Sequence, residues 1–296
     1  MRVESNVIAP TRVTPGLALG ALGVLGFSFS LPATRLAVAG LDPWFVAFGR
    51  AAAAGLLAIA YLAFVRAPRP SRRQVMRLVI VALGIVVGFP LFTSLALTTQ
   101  TAAHGAVVIA GLPMATAVWA VARAGERPRR GFWLASGAGF VAVLGFVGTT
   151  GAMSGGLELA DLFLLIAIVL CGLGYAEGGA LARELGGART VCWALVVSMP
   201  VTVPVALFTM DFTRADGTVW FGFAYVTVIS MFLGFFAWYA GLARGGVAKV
   251  GQVQLAQPVL NLTWSAFLLH EPVGWLTAAA AAAVLTCVIW TQRSRA

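Results

Sequence analysis

The chain has 296 residues, 60% of them hydrophobic and 10% charged, with a formal net charge of +10. That balance excludes a water-soluble domain. It also does not make a nucleic-acid surface, because the arginines sit in short connectors between apolar runs, where they act as topology signals.

Apolar runs of roughly 20 residues are long enough to cross the ~30 Å hydrocarbon layer as helices. They predict ten spans, at about 16–38, 44–65, 76–98, 103–122, 131–150, 159–182, 190–210, 218–242, 248–269 and 273–291. Span one ends in Ala37-Val38-Ala39, like a signal-peptide cleavage site. The run is longer than the usual apolar core of such a peptide and carries Pro32 and Arg35, so it reads as an uncleaved span. Pro32, and Pro90 in span three, each predict a packing kink or a place where freed carbonyls meet a solute. Connectors such as RAPRPSRR (66–73) and GERPRRG (125–131) leave no room for a soluble domain.

With the N-terminus in the cytoplasm, 17 of the 20 basic residues fall on the cytoplasmic side: Arg2, Arg12, Arg66, Arg69, Arg72, Arg73, Arg77, Arg123, Arg127, Arg129, Arg130, Arg183, Arg189, Arg244, Lys249, Arg293 and Arg295. Arg214 lies in an external loop, and Arg35 and Arg50 sit near the outer ends of spans one and two. This segregation predicts a multi-pass protein of the inner (cytoplasmic) membrane with both termini in the cytoplasm.

Span four, HGAVVIAGLPMATAVW (104–119), has an echo in span nine, KVGQVQLAQPVLNLTW (249–264). Each places a proline six residues before a tryptophan and a glutamate seven residues after it. The offsets 258−113, 264−119 and 271−126 all equal 145. Two units of five spans, an odd number, must run in opposite senses. The chain is therefore predicted to be an all-α integral membrane protein of ten transmembrane helices in two inverted five-helix repeats, residues 1–150 and 151–296. That pattern marks secondary transporters, with a site near the midplane where the repeats meet.

These residues resemble the EamA domains of the drug/metabolite transporter superfamily. That family carries a proline in the middle of the fourth span of each unit and a Gly-Glu step before the fifth. Pro113 with Gly125-Glu126 fits, and Pro258 with Glu271 fits, although His270 stands where glycine is usual. Asp42-Pro43 followed by Arg50 also resembles the start of the family's second span. Length and aromatic-rich spans are most similar to the YddG-type amino-acid exporters. The resemblance implies alternating access, efflux from the cytoplasm, and a central cavity lined by spans one, three, four, six, eight and nine.

Span nine carries the most polar pattern. Gln254, Gln257, Asn261 and Ser265 lie on one helical face, with Pro258 among them. Polar groups facing lipid lack partners, so this stripe is expected to line a cavity or to bond neighbouring helices. Amides offer donors and acceptors for a zwitterion. The matching face of span four has Ile109, Leu112 and Thr116 beside Pro113. Glu177, in LGYAEGGALAREL, lies about six residues, ~9 Å, from the cytoplasmic end of span six. It is read either as a substrate or proton site or as a structural partner of Arg183 or Lys249. Gly174 and Gly178 flank it with the spacing of a close helix contact.

Phe27, Ser30, Phe92, Tyr175, Trp238 and Tyr239 complete the candidate substrate-binding set, their rings suited to apolar or aromatic groups and to an ammonium. Trp44, Trp133, Trp220 and Trp275 stand near span ends, as an interfacial belt does. His104 and His270 are expected at the surface. Cys171, Cys192 and Cys287 read as small buried residues rather than a disulfide or metal set.

The expected function is export of amino acids, aromatic or otherwise apolar, and related amphiphilic metabolites. The partners are the solute, the bilayer and protons, with no nucleic acid, metal or cofactor. Multidrug or organic-cation efflux is the alternative if Glu177 faces the cavity. An intramembrane enzyme is the remote one, given no HExxH, GxSxG or pair of intramembrane aspartates.

Overall fold

The computed structural model describes residues 15–124, 130–154, 158–245, 250 and 252–295. Gly125, Glu126 and Lys249 lie outside the described residues. The helices in chain order are α1 (Pro15–Val38), α2 (Pro43–Phe64), α3 (Arg72–Ala96), α4 (Ala102–Ala122) and α5 (Arg130–Ser154). There follow α6 (Leu159–Leu185), α7 (Gly187–Phe208), α8 (Gly217–Arg244), α9 (Gln252–Leu255 continuing as Ala256–Leu268) and α10 (Trp275–Arg295). No strand occurs among the described residues. Seven of these helices, α1 to α4 and α6 to α8, are long and apolar enough to cross a membrane. In α5 and α10 the apolar stretches are shorter, Trp133–Phe146 and Trp275–Cys287.

Helix starts follow local chemistry. The Asp42 carboxylate accepts from Trp44 N (2.8 Å) and Phe45 N (3.2 Å), and Pro43 fills the first turn of α2. A capping box of Ser71 and Gln74 opens α3 four residues before the predicted start, extending it into the arginine-rich connector. Thr101 and Asp216 cap α4 and α8.

Breaks in the helices sit just before prolines, whose rings crowd the preceding turn. In α1 the break is at Phe29, three residues before Pro32. In α4 it falls at Ala110 and Gly111, before Pro113, and in α9 at the step from Leu255 to Ala256, before Pro258. The α4 and α9 breaks are thus related by the same offset of 145 as their prolines. A second doubled feature was not legible in the residues: α3 has a π-helical segment at Ala82–Gly88 and α8 one at Tyr225–Leu233. Such segments widen a helix locally and recur at functional sites.

Packing brings the two halves together through small residues, which let backbones approach closely. A Cβ on Gly84 of α3 would stand 2.7 Å from the Gly174 Cα of α6. A Cβ on Gly23 of α1 would meet Trp238 N of α8 at 2.9 Å, and one on Gly241 of α8 would meet Gly20 N at 2.7 Å. Helices α2 and α7 run antiparallel: Gly55 faces Met199, while Phe45 to Phe48 share a cluster with Val205 and Ala206. Contacts recur in equivalent pairs, α1 with α8 and α3 with α6, α1 with α9 and α4 with α6.

Candidate functional site

A small cavity lies between helices of the two halves. Its walls come from α1 (Phe27, Ser30, Leu31), α3 (Ile85, Phe89), α4 (Ile109, Leu112), α6 (Cys171, Tyr175), α8 (Ser230, Met231, Phe235) and α9 (Gln257). These are the six spans that the family resemblance implies. Both π-helical segments reach the wall, through Ile85 and through Ser230 and Met231. Ser30 Oγ and Ser230 Oγ lie 2.7 Å apart across the cavity wall, tying α1 to α8.

Of the expected site residues, Phe27, Ser30, Tyr175 and Gln257 stand in the lining. Trp238 and Tyr239 do not; both are fully buried behind it. The Trp238 ring lies 6.3 Å from Phe27 and 6.0 Å from Tyr175, and Phe235 lies 5.5 Å from Tyr239. This aromatic cluster closes the cavity toward the end of the bundle where α2 stops and α3 starts, called here the basic end because Arg66, Arg69, Arg72, Arg73, Arg77, Arg183, Arg189 and Arg244 gather there. Phe92 is half-buried, its ring 5.7 Å from Phe163, and packs α3 against α6 outside the lining. Pro113 and Pro258 are buried and shape the helix breaks without lining the cavity.

The α9 stripe is buried as a whole. Gln254 Nε2, Gln257 Oε1, both amide atoms of Asn261 and Ser265 Oγ make no hydrogen bond within the protein. A buried polar atom without a partner costs about 1–3 kcal/mol. This stripe is therefore not a set of interhelical bonds in the captured form.

Glu177 is outside the lining and bonded to Arg77 of α3, not to Arg183, which is exposed. Arg77 Nη1 also reaches Glu184 at 2.5 Å, so α3 and α6 are joined at the basic end by charge. Gly174 and Gly178 serve two contacts there: Gly174 lies against Gly84, and Gly178 against the Tyr239 hydroxyl.

His104 is not at the surface. It is 9% exposed, with Nε2 2.6 Å from Asp161 Oδ1 and its ring 4.9 Å from Phe146. The partner is 57 residues away, beyond reach of local pattern reading. His270 is exposed and adopts φ +52°, the left-handed turn conformation. That explains why glycine is usual at this step. The turn returns Glu271 N to Ser265 O (3.1 Å) and carries the Glu271 carboxylate onto the first turn of α4, where it accepts from Ala102 N (3.0 Å) and Ala103 N (2.8 Å). The glutamate that follows α9 is thus an anionic cap on the helix that pairs with α9 in the repeat.

Residues 14–148 match the EamA-like transporter family, and residues 158–292 match it again. The chain belongs to that family. The two matches begin 158−14 = 144 residues apart, beside the 145 of the echoed landmarks. Among relatives of this EamA-like transporter is the Bacillus subtilis (strain 168) protein described as "Uncharacterized transporter YdeK". The two are 48% identical over 284 residues, covering 95% of this chain and 98% of that one. A crystal structure shares the fold at a TM-score of 0.63 and 16% identity, covering 93% of this chain and 95% of the other. The protein is a multi-pass membrane transporter with a duplicated domain, and not an enzyme.

Proposed function

We propose that this EamA-like transporter exports amino acids with apolar or aromatic side chains, and related small metabolites, by alternating access. The observation that carries this reading is the cavity lining: aromatic and aliphatic walls, two serines, and the amide of Gln257, whose Oε1 has no partner within the protein. Apolar walls suit the side chain, while hydroxyl and amide groups suit the ends of a zwitterion.

No charged residue is part of that lining. Glu177, the acid that would favour organic-cation efflux, is engaged by Arg77 instead. The amino-acid reading is the better supported of the two.

We further infer that α5, α9 and α10 complete ten crossings in two inverted units, residues 1–150 and 151–296. The antiparallel α2 and α7, the second helix of each unit, support the inversion. The basic end faces the cytoplasm of an inner-membrane protein, on the positive-inside rule.

Uptake of radiolabelled amino acids into proteoliposomes, with and without a pH gradient, tests the reading. Saturable uptake of phenylalanine or leucine is expected. No uptake of any amino acid would overturn it.

A further inference from the structure

Arg50 is a buried charge that the transport reading does not use. It lies 50−43 = 7 residues into α2, about 10 Å along the helix. It is only 3% exposed, and its Nε makes no hydrogen bond. Among the described residues no carboxylate pairs with it. The acids at that far end of the bundle are turned to other tasks. Asp42 and Asp216 cap α2 and α8, and Asp211 accepts from Thr213. Arg35, at the same end, does find partners, donating to Leu97 O (2.6 Å) and Thr98 O (3.2 Å).

Helix geometry says where Arg50 faces. Eleven residues, three turns, separate it from Tyr61, whose ring lies 4.8 Å from Phe236 of α8. At the far end Phe45 lies 5.3 Å from Phe223, also of α8. Arg50 therefore shares the Tyr61 face of α2, and the two ring contacts set it level with the start of the α8 π-helical segment, about a turn along α8 from Ser230. On α3, Val87 and Leu91 pack against the Phe45 to Phe48 cluster, and Ser94 follows on their face. The Ser94 hydroxyl is fully buried and likewise unpartnered.

We propose that Arg50 and Ser94, in the seam between α2, α3 and α8, form a binding site for a compact monoanion. An unpaired guanidinium in a low-dielectric seam is strongly unfavourable, and an anion with Arg and Ser donors around it removes that cost. The anion is either the carboxylate of the transported solute or inorganic chloride. Only the first source rests on the amino-acid reading.

The test uses purified full-length protein in detergent, in chloride-free gluconate buffer, read by thermal unfolding. Sodium chloride, sodium acetate, L-phenylalanine and phenethylamine, which lacks the carboxylate, are titrated in turn. Wild type is expected to gain several degrees with chloride, acetate or phenylalanine. The Arg50→Gln variant loses the response, Arg50→Lys keeps it at about tenfold weaker apparent affinity, and Ser94→Ala weakens it severalfold. A phenylalanine response without a phenethylamine or chloride response assigns the solute carboxylate; a chloride response alone assigns the inorganic ion. An anion response without phenylalanine uptake upholds the site and fails the amino-acid reading. Wild type indifferent to every anion, or Ser94→Ala and Arg50→Lys both responding as wild type does, overturns the site even if Arg50→Gln does not fold.

Discussion

The basic half of α6 and the buried face of α9 both carry polar side chains into the bundle, and they treat them in opposite ways. On α6, Glu177 is bonded to Arg77, and glycines beside it admit the α3 backbone and the Tyr239 side chain of α8. On α9, four successive polar residues of one face have atoms with no partner. Satisfied polarity with close packing is what a joint needs. Unsatisfied polarity, with Gln257 in the cavity lining, is what the proposed site needs, because in the proposed cycle a solute or water would meet it. The difference separates structure from function inside one bundle.

The largest effect should come from breaking the joint. Replacing Glu177 by Ala removes the buried partner of the pair, leaves the half-buried Arg77 only the exposed Glu184, and should lower stability by about 2 kcal/mol, read by thermal unfolding in detergent. Glu184, 47% exposed, should cost under ~1 kcal/mol on the same change. Equal losses would erase the distinction between a buried joint and a surface pair.

Gly174→Leu comes next. Its side chain has to enter the contact with Gly84 and Ile85, an overpacking worth about 1–3 kcal/mol. Folded yield on size-exclusion chromatography checks it.

On α9 the sign should reverse. Asn261→Leu removes two unpartnered polar atoms and is expected to leave stability unchanged or to raise it by about 1 kcal/mol, while proteoliposome uptake falls tenfold or more. A destabilised protein with normal uptake would place Asn261 with the joint.

The smallest effect is expected at the cap. Glu271→Gln keeps the shape and loses the anion on the first turn of α4, costing about 0.5–1 kcal/mol, again by thermal unfolding.

What was legible in the residues was linear. The Pro113 and Pro258 skeletons, the arginine-rich connectors and the α9 stripe all recur at fixed spacing along the chain. Pairings across helices were not legible: nothing in the sequence around Glu177 or His104 points to Arg77 or Asp161, because helix packing sets those distances. Among the cavity walls, Leu31, Ile85, Ser230, Met231 and Phe235 went unseen for a related reason. An apolar residue facing a cavity looks like one facing lipid, and the π-helical turns in which Ile85, Ser230 and Met231 sit have no linear signature. Glu271 was recognised as part of an echo, yet its work as a cap appears only once the His270 turn brings it to α4.

Under the proposed cycle the α9 face is wet from each side of the membrane in turn. With Cys171, Cys192 and Cys287 replaced, a cysteine at Gln257 or Asn261 can be challenged with a membrane-impermeant thiol reagent in right-side-out and inside-out vesicles. Modification from both sides, slowed by transported solute, is the predicted result. A cysteine at these positions that stays unreactive from both sides, in protein that still transports, would contradict the account.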